Sequence, residues 1–152
     1  MGDSNDETRH WTRREALQLG AAGLVTLSVH AGCAHGWGDA REVSVTGGAI
    51  TLKVRDYPAL AQSGGVQGLK VAGREHPIAV VRGEGDRYTA LSTECMHRGC
   101  TVTWKADERL FACPCHGSQY TQAGEVSRGP TKKPLVEHPT ALDGETLTIT
   151  VG

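Results

Sequence analysis

The sequence predicts an all-β domain, and three observations support this prediction. Glycine is abundant, with 20 residues among 152, whereas aromatic residues make up only 5%. From residue 43 onward, short runs rich in β-branched residues alternate with turn signals, and none shows the period of a helix. The apolar fraction of 38% predicts a small core, which often needs a cross-link or a metal. We therefore expect an antiparallel β sandwich or barrel over residues 43–152.

The expected strands follow one another along this domain. Residues 43–46 and 49–54 flank Gly47-Gly48, which is typical of a β-hairpin. A second hairpin is expected around the polar turn at Asp107, and a third around Asp143-Gly144. In chain order, the expected strands after the first hairpin lie at 69–72, 78–82, 87–92, 101–104, 110–112 and 135–137. At the end of the chain, residue 142 is expected to pair with 147–151.

Residues 1–31 have the composition of an export leader. Polar residues precede the adjacent Arg13 and Arg14, and an apolar stretch rich in Gly and Ala follows. This order resembles a bacterial twin-arginine signal, whose route exports proteins that are already folded. The alternative is an amphipathic helix with two solvated arginines. The stretch 16–31 is shorter than the roughly 20 apolar residues of a membrane span.

Three outcomes are open for this leader. It is cleaved after Ala31, lipidated at Cys33, or kept as an uncleaved anchor. Lipidation is favoured because the Ala-Gly-Cys sequence ending at Cys33 resembles a lipobox and accounts for an odd cysteine. The Gly-rich residues 32–42 are expected to form a flexible tether, with His35 and Trp37 in solvent.

Two loops contain the residues with metal-binding chemistry. They are residues 95–100 (CMHRGC) and 113–120 (CPCHGSQY). Each follows an expected strand, so that rigid strands would aim both loops at one point. Two Cys and two His form a donor set for tetrahedral zinc as well as for an iron–sulfur cluster. The candidate ligands are Cys95, His97, Cys113 and His116.

Together the two loops resemble the signature of Rieske proteins, Cys-x-His followed by Cys-x-x-His. The resemblance covers the chain from residue 43 onward and is strongest over 95–130. It implies a Rieske-type β fold in which a cluster-binding subdomain carries the two loops. It also implies a [2Fe–2S] cluster in which two cysteines bind one iron and two histidines bind the other. By this pattern, Cys95 and Cys113 bind the first iron, and His97 and His116 bind the second.

The resemblance also accounts for two further cysteines. In high-potential Rieske proteins the residues matching Cys100 and Cys115 form a disulfide that clamps the two loops over the cluster. A structural zinc site gives no reason for this pair, one cysteine in each loop. Ordinary disulfide or core cysteines with no cluster nearby are the other alternative.

Five more residues are expected around the ligands. The resemblance implies that the Ser118 and Tyr120 hydroxyls donate to a bridging sulfide and to the sulfur of the first cysteine, which raises the potential. Gly99 and Gly117 lack a Cβ and would let backbone N–H groups approach the sulfur atoms. The loop at Pro130 matches the one that shields the third side of the cluster.

The resemblance implies a one-electron carrier with no catalysis of its own that serves as a subunit of an oxidoreductase. Two neutral imidazoles in place of thiolates reduce the negative charge of the cluster. Rieske potentials therefore span roughly −150 to +300 mV, against about −400 mV for four-cysteine plant-type clusters. His116 first, and His97 second, are expected to lie near the surface, where an imidazole can take up a proton with the electron.

Three uses of such a carrier fit the chain. The first is the Rieske subunit of a bc-type respiratory complex, which takes electrons from quinol beside a cytochrome b and passes them to a c-type cytochrome. The second is the small subunit of a periplasmic molybdenum oxidoreductase such as arsenite oxidase, or a free periplasmic carrier. The third, a ferredoxin of a ring-hydroxylating oxygenase, ranks last because such ferredoxins lack the leader and the extra cysteines. The first two place the protein on the periplasmic side of a bacterial membrane, attached by the leader or a lipid.

Charge narrows the choice of partner. The formal net charge of −1 predicts no nucleic-acid partner. Arg98 stands where bc-type Rieske proteins usually have Leu, and a cation at this position disfavours hydrophobic docking of a quinone. Arg128, Lys132 and Lys133 are expected to form a solvated face close to the loops, with steering of an acidic partner as a hypothesis.

Overall fold

In a computed structural model of the chain, which describes residues 36–152, the fold is all-β and confirms the predicted class. Short 3-10 helices form at Trp37–Asp39, Val54–Asp56 and Pro58–Leu60. Within this part of the chain, twelve strands form three sheets. The strands are β1 (Arg41–Val43), β2 (Ala49–Lys53), β3 (Val66–Val71), β4 (Ile78–Arg82), β5 (Tyr88–Ser92), β6 (Thr103–Lys105), β7 (Leu110–Ala112), β8 (Gln119–Thr121), β9 (Val126–Arg128), β10 (Glu137–His138), β11 (Thr140–Asp143) and β12 (Thr146–Thr150).

A five-stranded sheet with the order β1-β3-β4-β5-β10 contributes side chains to both apolar cores of the fold. Its strand β4 is buried on both faces, since successive side chains of a strand point to opposite sides. Ile78 and Val80 belong to one apolar core, whereas Ala79 and Val81 belong to a second. An uninterrupted apolar run therefore occupies the centre of the fold.

The first core is formed against the three-stranded sheet β11-β12-β2. Ile50, Leu147 and Ile149 are at most 1% exposed there. Full burial of one such side chain stabilises a fold by about 1.5–3 kcal/mol. The predicted hairpin around Asp143-Gly144 is confirmed as β11 and β12.

The second core underlies the four-stranded sheet β6-β7-β8-β9. Phe111 is fully buried, and its ring centroid lies 4.9 Å from that of Trp104. The predicted pairing around Asp107 is confirmed as β6 and β7. Strand β8 begins where the sequence predicts the end of the second loop, residues 113–120. A three-residue strand with one buried side chain, Tyr120, is too short to show alternation.

The hairpin predicted at Gly47-Gly48 is only partly formed. Thr46 and Ala49 make an isolated antiparallel bridge across the two glycines. The segment before them, β1, instead pairs in parallel with β3, and Val43 lies beside Val71 in the first core. Burial of Val43 at the sheet edge therefore outweighs the local turn signal.

Trp37, expected in solvent within the predicted tether over residues 32–42, is instead packed on the fold. The indole Nε1 of Trp37 donates to the Val102 carbonyl at 2.6 Å, and the ring stacks on Phe111 at 6.4 Å. Gly68 leaves room for the indole, because a Cβ there would come within 2.5 Å of Trp37. A single aromatic side chain thus fixes this segment to the fold.

The predicted leader, its twin-arginine pair and Cys33 lie outside the described residues. Within residues 36–152, none of the helices has the length and apolarity needed to cross a membrane.

Candidate metal centre

The two predicted loops share one backbone design. Residues 95–100 connect β5 with β6, and residues 113–118 connect β7 with β8. In each loop the amide of the first cysteine donates to the carbonyl five residues on, and the amide of the glycine donates back to that cysteine's carbonyl. These bonds are Cys95 N to Cys100 O at 2.8 Å, Gly99 N to Cys95 O at 2.8 Å, Cys113 N to Ser118 O at 2.8 Å, and Gly117 N to Cys113 O at 3.1 Å.

Gly99 and Gly117 serve this design through their backbone conformation. Gly99 and Gly117 both have a φ of 75°, a conformation that other residues rarely adopt. A Cβ on Gly117 would meet no protein atom within 4 Å. The backbone amide among the causes that lower the pKa of the Cys95 thiol is that of His97. The glycines close the loops through their own amides.

The two thiols that the loops bring together are buried and free. Cys95 is 1% exposed and Cys113 is 3% exposed. Burial raises the pKa of Cys95, but hydrogen bonds from the Tyr120 hydroxyl and the His97 amide outweigh it and leave the pKa below its ordinary value. Burial raises the pKa of Cys113. Cys95 is therefore the more readily ionised thiol of the pair. The thiolate is the form that binds metal.

The imidazoles of the two loops lie against one another. The ring centroids of His97 and His116 are 4.8 Å apart, with the rings nearly perpendicular. The Nδ1 atom of His97 is buried and has no hydrogen-bond partner, whereas the side chain of His116 is exposed. An unpaired buried nitrogen is costly unless a ligand takes it. Together with two buried free thiols, this atom fits a metal cluster at the site.

The predicted disulfide between Cys100 and Cys115 is formed and joins the two loops. The sulfur of Cys113 lies within 4.8 Å of both disulfide sulfurs, so the cross-link flanks the site directly. Sulfur atoms in a disulfide are not available as thiolates. The metal-binding capacity of the loops therefore rests on Cys95, Cys113 and the two histidines.

The two predicted hydroxyls are buried at the site. The Tyr120 hydroxyl accepts from the Met96 amide at 3.1 Å and lies 3.4 Å from the Cys95 sulfur, to which it can donate its own proton. Ser118 is fully buried, and its Oγ accepts from the Thr131 amide at 3.2 Å. In both cases a backbone amide occupies an acceptor position and leaves the hydroxyl proton free for sulfur.

A third loop follows β9 and borders the site. It contains the cis peptide Gly129–Pro130, with Pro130 exposed, and continues to Thr131, which is 4% exposed. Thr131 is a positioning residue that sequence reasoning missed, because it orients Ser118 through its backbone. Its place directly after the Gly-Pro pair is the one signal that could have indicated it.

Comparison with known proteins decides which metal group these residues fit. The model of the Rieske [2Fe–2S] domain family matches residues 49–139, which is more than half of the chain. This chain belongs to the Rieske family. The group implied at the site is therefore a Rieske [2Fe–2S] cluster rather than zinc, with Cys95, Cys113, His97 and His116 as the residues that would hold it.

Curated relatives carry this Rieske domain within longer chains. A cytochrome b6-f complex iron-sulfur subunit of Synechococcus sp. (strain JA-3-3Ab) is 44% identical over 79 residues, which are 52% of this chain and 44% of that protein. The subunit 2 of Synechocystis sp. (strain PCC 6803) is 35% identical over 117 residues, which are 68% of this chain and 63% of that protein. The chain thus matches about half of the length of the relatives.

Solved structures bear out the fold. The apo form of a quaternary ammonium Rieske monooxygenase superposes with a TM-score of 0.51 at 20% identity, over 62% of this chain and 30% of that chain. At this identity the likeness concerns the fold alone.

Proposed function

We propose that this Rieske protein is a one-electron carrier of a bc-type respiratory complex, which receives electrons from quinol and passes them to a c-type cytochrome. The relatives named as iron-sulfur subunits of cytochrome b6-f complexes support this role. When bound, the cluster supplies reversible one-electron chemistry, in the upper part of the range of roughly −150 to +300 mV.

The observation that carries this proposal is the contrast between the buried thiols and the exposed His116. Cys95 and Cys113 are shielded from water, so the sulfur side of the site is protected. The imidazole of His116 reaches solvent, where it can contact a partner. The Tyr120 and Ser118 hydroxyls stabilise added negative charge on the sulfur side, which raises the potential.

Protein-film voltammetry across a pH series tests the carrier role. We expect a midpoint above about +100 mV that falls at alkaline pH. A midpoint near −150 mV and independent of pH would instead indicate a ferredoxin-like carrier.

Arg98 favours a second candidate function. Its side chain is exposed in the first loop, where an apolar residue would suit docking against a quinone pocket. A small subunit of a periplasmic molybdenum oxidoreductase, or a free periplasmic carrier, needs no such apolar tip. Deletion of the gene distinguishes the bc-type role from this second candidate function. Loss of quinol–cytochrome c reductase activity in membranes, restored by the intact chain, supports the bc-type role, whereas unchanged activity favours the second.

The proposed location is the periplasmic side of a bacterial membrane, reached by the twin-arginine route. The sequence around Arg13 and Arg14 supports this. Replacement of both arginines by lysine is expected to leave the folded protein in the cytoplasm, as measured by cell fractionation. Unimpaired export of the double variant would contradict the proposal. Intact mass of the membrane-extracted protein then determines whether Cys33 is lipidated.

A further inference from the structure

We propose that the cluster-binding tip is a docking surface for acidic redox proteins, formed by a cationic rim around the exposed imidazole of His116. The cationic rim consists of Arg98, Arg128, Lys132 and Lys133. This inference rests on the proposed carrier function and specifies how the partner is recognised.

The shared design of the two loops places Arg98 at the tip. Each loop has the same hydrogen bonds from its first cysteine, and Arg98 and His116 are both the third residue after that cysteine. Both side chains are exposed. Arg98 therefore occupies in the first loop the outward position that His116 occupies in the second.

The third loop brings two lysines to the same end of the fold. The Thr131 amide donates to Ser118 Oγ at 3.2 Å, and the Thr131 hydroxyl donates to the Lys133 carbonyl at 3.2 Å. These bonds fix the backbone of the third loop against the second loop. Thr131 is buried, whereas Lys132 and Lys133 are exposed.

Arg128 completes the rim from strand β9. It pairs with Gln119, the residue directly after Ser118, and its side chain is exposed. The four cations thus come from three separate segments, 95–100, β9 and the third loop. Because the four cations come from three segments, they form a patch on the surface rather than a run of charge along the sequence.

These charges are not neutralised by neighbours. Within the described part of the chain, the ion pairs are Arg55 with Glu145 and Arg82 with Asp86, and neither includes a rim residue. Residues 36–152 contain thirteen Lys and Arg and thirteen Asp and Glu. The segments 94–100, 113–118 and 128–134 hold four of these cations and a single anion, Glu94, which leaves nine cations and twelve anions elsewhere. The domain is neutral as a whole but positive at its tip.

This distribution fits an acidic protein rather than a lipid surface. A surface of one sign attracts a partner of the opposite sign and orients it before contact. Insertion into a membrane interface also requires apolar side chains. Among the described residues the exposed large apolar side chains are Val45 and Val136, and neither belongs to the loops that form the tip.

The reaction at this surface is a simple electron transfer. One electron passes from the reduced protein to an oxidised acceptor, which is reduced by one electron. No bond forms or breaks. The cationic rim therefore affects the association of the protein with its acceptor. Its contribution is measured as the rate of electron transfer at low ionic strength.

The test compares two double charge reversals in the full, cluster-loaded protein. The rim variant carries Lys132→Glu and Lys133→Glu. The matched control carries Lys53→Glu and Lys70→Glu, which changes the net charge equally at exposed strand positions outside the tip. Stopped-flow oxidation of each reduced protein is followed with ferricyanide, with the tris(phenanthroline)cobalt(III) cation, and with a c-type cytochrome of acidic pI. The midpoint potential of each variant corrects for driving force.

We expect the rim variant to react about tenfold more slowly with ferricyanide and the acidic cytochrome at low salt, and faster with the cobalt cation. The difference should disappear at high salt, where the Debye length falls to about 3 Å. The control should change by less than about twofold. Equal effects of both reversals would assign the effect to net charge and overturn the proposal.

A second arm tests the lipid alternative. The wild type and the rim variant are sedimented with phosphatidylglycerol vesicles. Vesicle binding that depends on the rim, together with unchanged rates toward the acidic cytochrome, would identify a membrane contact and overturn the protein-docking proposal. A low midpoint potential would contradict the proposed function alone, because the rate comparison between variants remains valid at any potential.

Discussion

The base region, made of the five- and three-stranded sheets, and the cluster region, made of the four-stranded sheet with its loops, are stabilised differently. The long strands belong to the base region, where β3 has six residues and β2, β4, β5 and β12 have five each. Every strand of the cluster region has three residues. The base core is chiefly aliphatic, whereas the cluster core contains Trp104, Phe111 and Tyr120 with the two free thiols.

This difference between the two regions shows how a small fold holds two loops open at one end. Loops that present ligands at a surface cannot bury much apolar area. In the cluster region the disulfide, the backbone hydrogen bonds and the buried hydroxyls therefore supply order that burial provides in the base region. Substitutions in the two regions are expected to separate cluster binding from folding.

The largest expected effect is loss of the cluster without loss of the base region. Cys113→Ser removes a buried thiol, and a serine hydroxyl is a poor substitute for thiolate on iron. We expect no iron or acid-labile sulfide in the purified variant. Hydrogen exchange should still protect β2 and β12, because the core that their side chains form does not include Cys113. Global unfolding of the variant would show that the two regions are one cooperative unit.

The next largest effect is expected from the disulfide. Simultaneous Cys100→Ser and Cys115→Ser substitutions open a loop closed across a sequence separation of 15, which lowers the free energy of unfolding by about 3 kcal/mol. Urea unfolding followed by the visible absorbance of the cluster and by far-UV circular dichroism measures this loss. The cluster signal should be lost at lower urea than the β signal. Coincident transitions would contradict a weaker cluster region.

Trp37→Ala tests the fixed N-terminal segment. The indole is half-buried between Phe111 and Gly68, so we expect a destabilisation of about 2 kcal/mol, below that for full burial. Limited proteolysis should then cleave the chain before β1. Trp37→Phe is the matched control, since it keeps the packing and removes the bond to Val102. An uncleaved Trp37→Ala protein would show that β1 alone fixes the segment.

Tyr120→Phe removes one hydroxyl near sulfur. A hydrogen bond to a charged group contributes about 1.5 kcal/mol, and tenfold in a one-electron equilibrium corresponds to about 59 mV. We therefore expect the midpoint potential to fall by about 60 mV in voltammetry. Tyr88→Phe in the base region is the control, because Tyr88 is buried away from the ligands and should leave the potential unchanged.

The smallest effect is a pH dependence within the base region. Burial lowers the pKa of His138, and the Arg74 guanidinium lowers it further. The unfolded state then binds more protons than the folded state below the ordinary histidine pKa of about 6.5, so stability falls as the pH drops through that value. The urea midpoint of the wild type should decrease more between pH 8 and about pH 5 than that of His138→Gln. Parallel curves would contradict this assignment.

Much of the site could be predicted from the sequence, because its chemistry depends on residue types at fixed short spacings. Two cysteines and two histidines within 22 residues identify the loops before any fold is known. The strands at Ile78–Arg82 and Leu110–Ala112 were also predicted with the observed bounds. Short sequence patterns are sufficient to predict features that are determined by residues close together along the chain.

What could not be predicted depends on distant contacts. The parallel pairing of β1 follows from Val43 reaching Val71, 28 residues away. The position of Trp37 follows from a carbonyl at Val102, 65 residues away. Thr131 acts on Ser118 through a backbone amide, which no side-chain pattern reveals. In each case the deciding partner is remote in sequence.

The repeated geometry of the two ligand loops limits how they can vary. Each glycine sits four positions after its cysteine because its amide must return to that cysteine's carbonyl. The side chains in between, such as those of Met96 and Pro114, take no part in this closure. Insertion or deletion of one residue would move the glycine out of reach and misdirect the imidazole. The spacing of cysteine, imidazole and glycine is therefore as necessary to this site as the identity of the ligands.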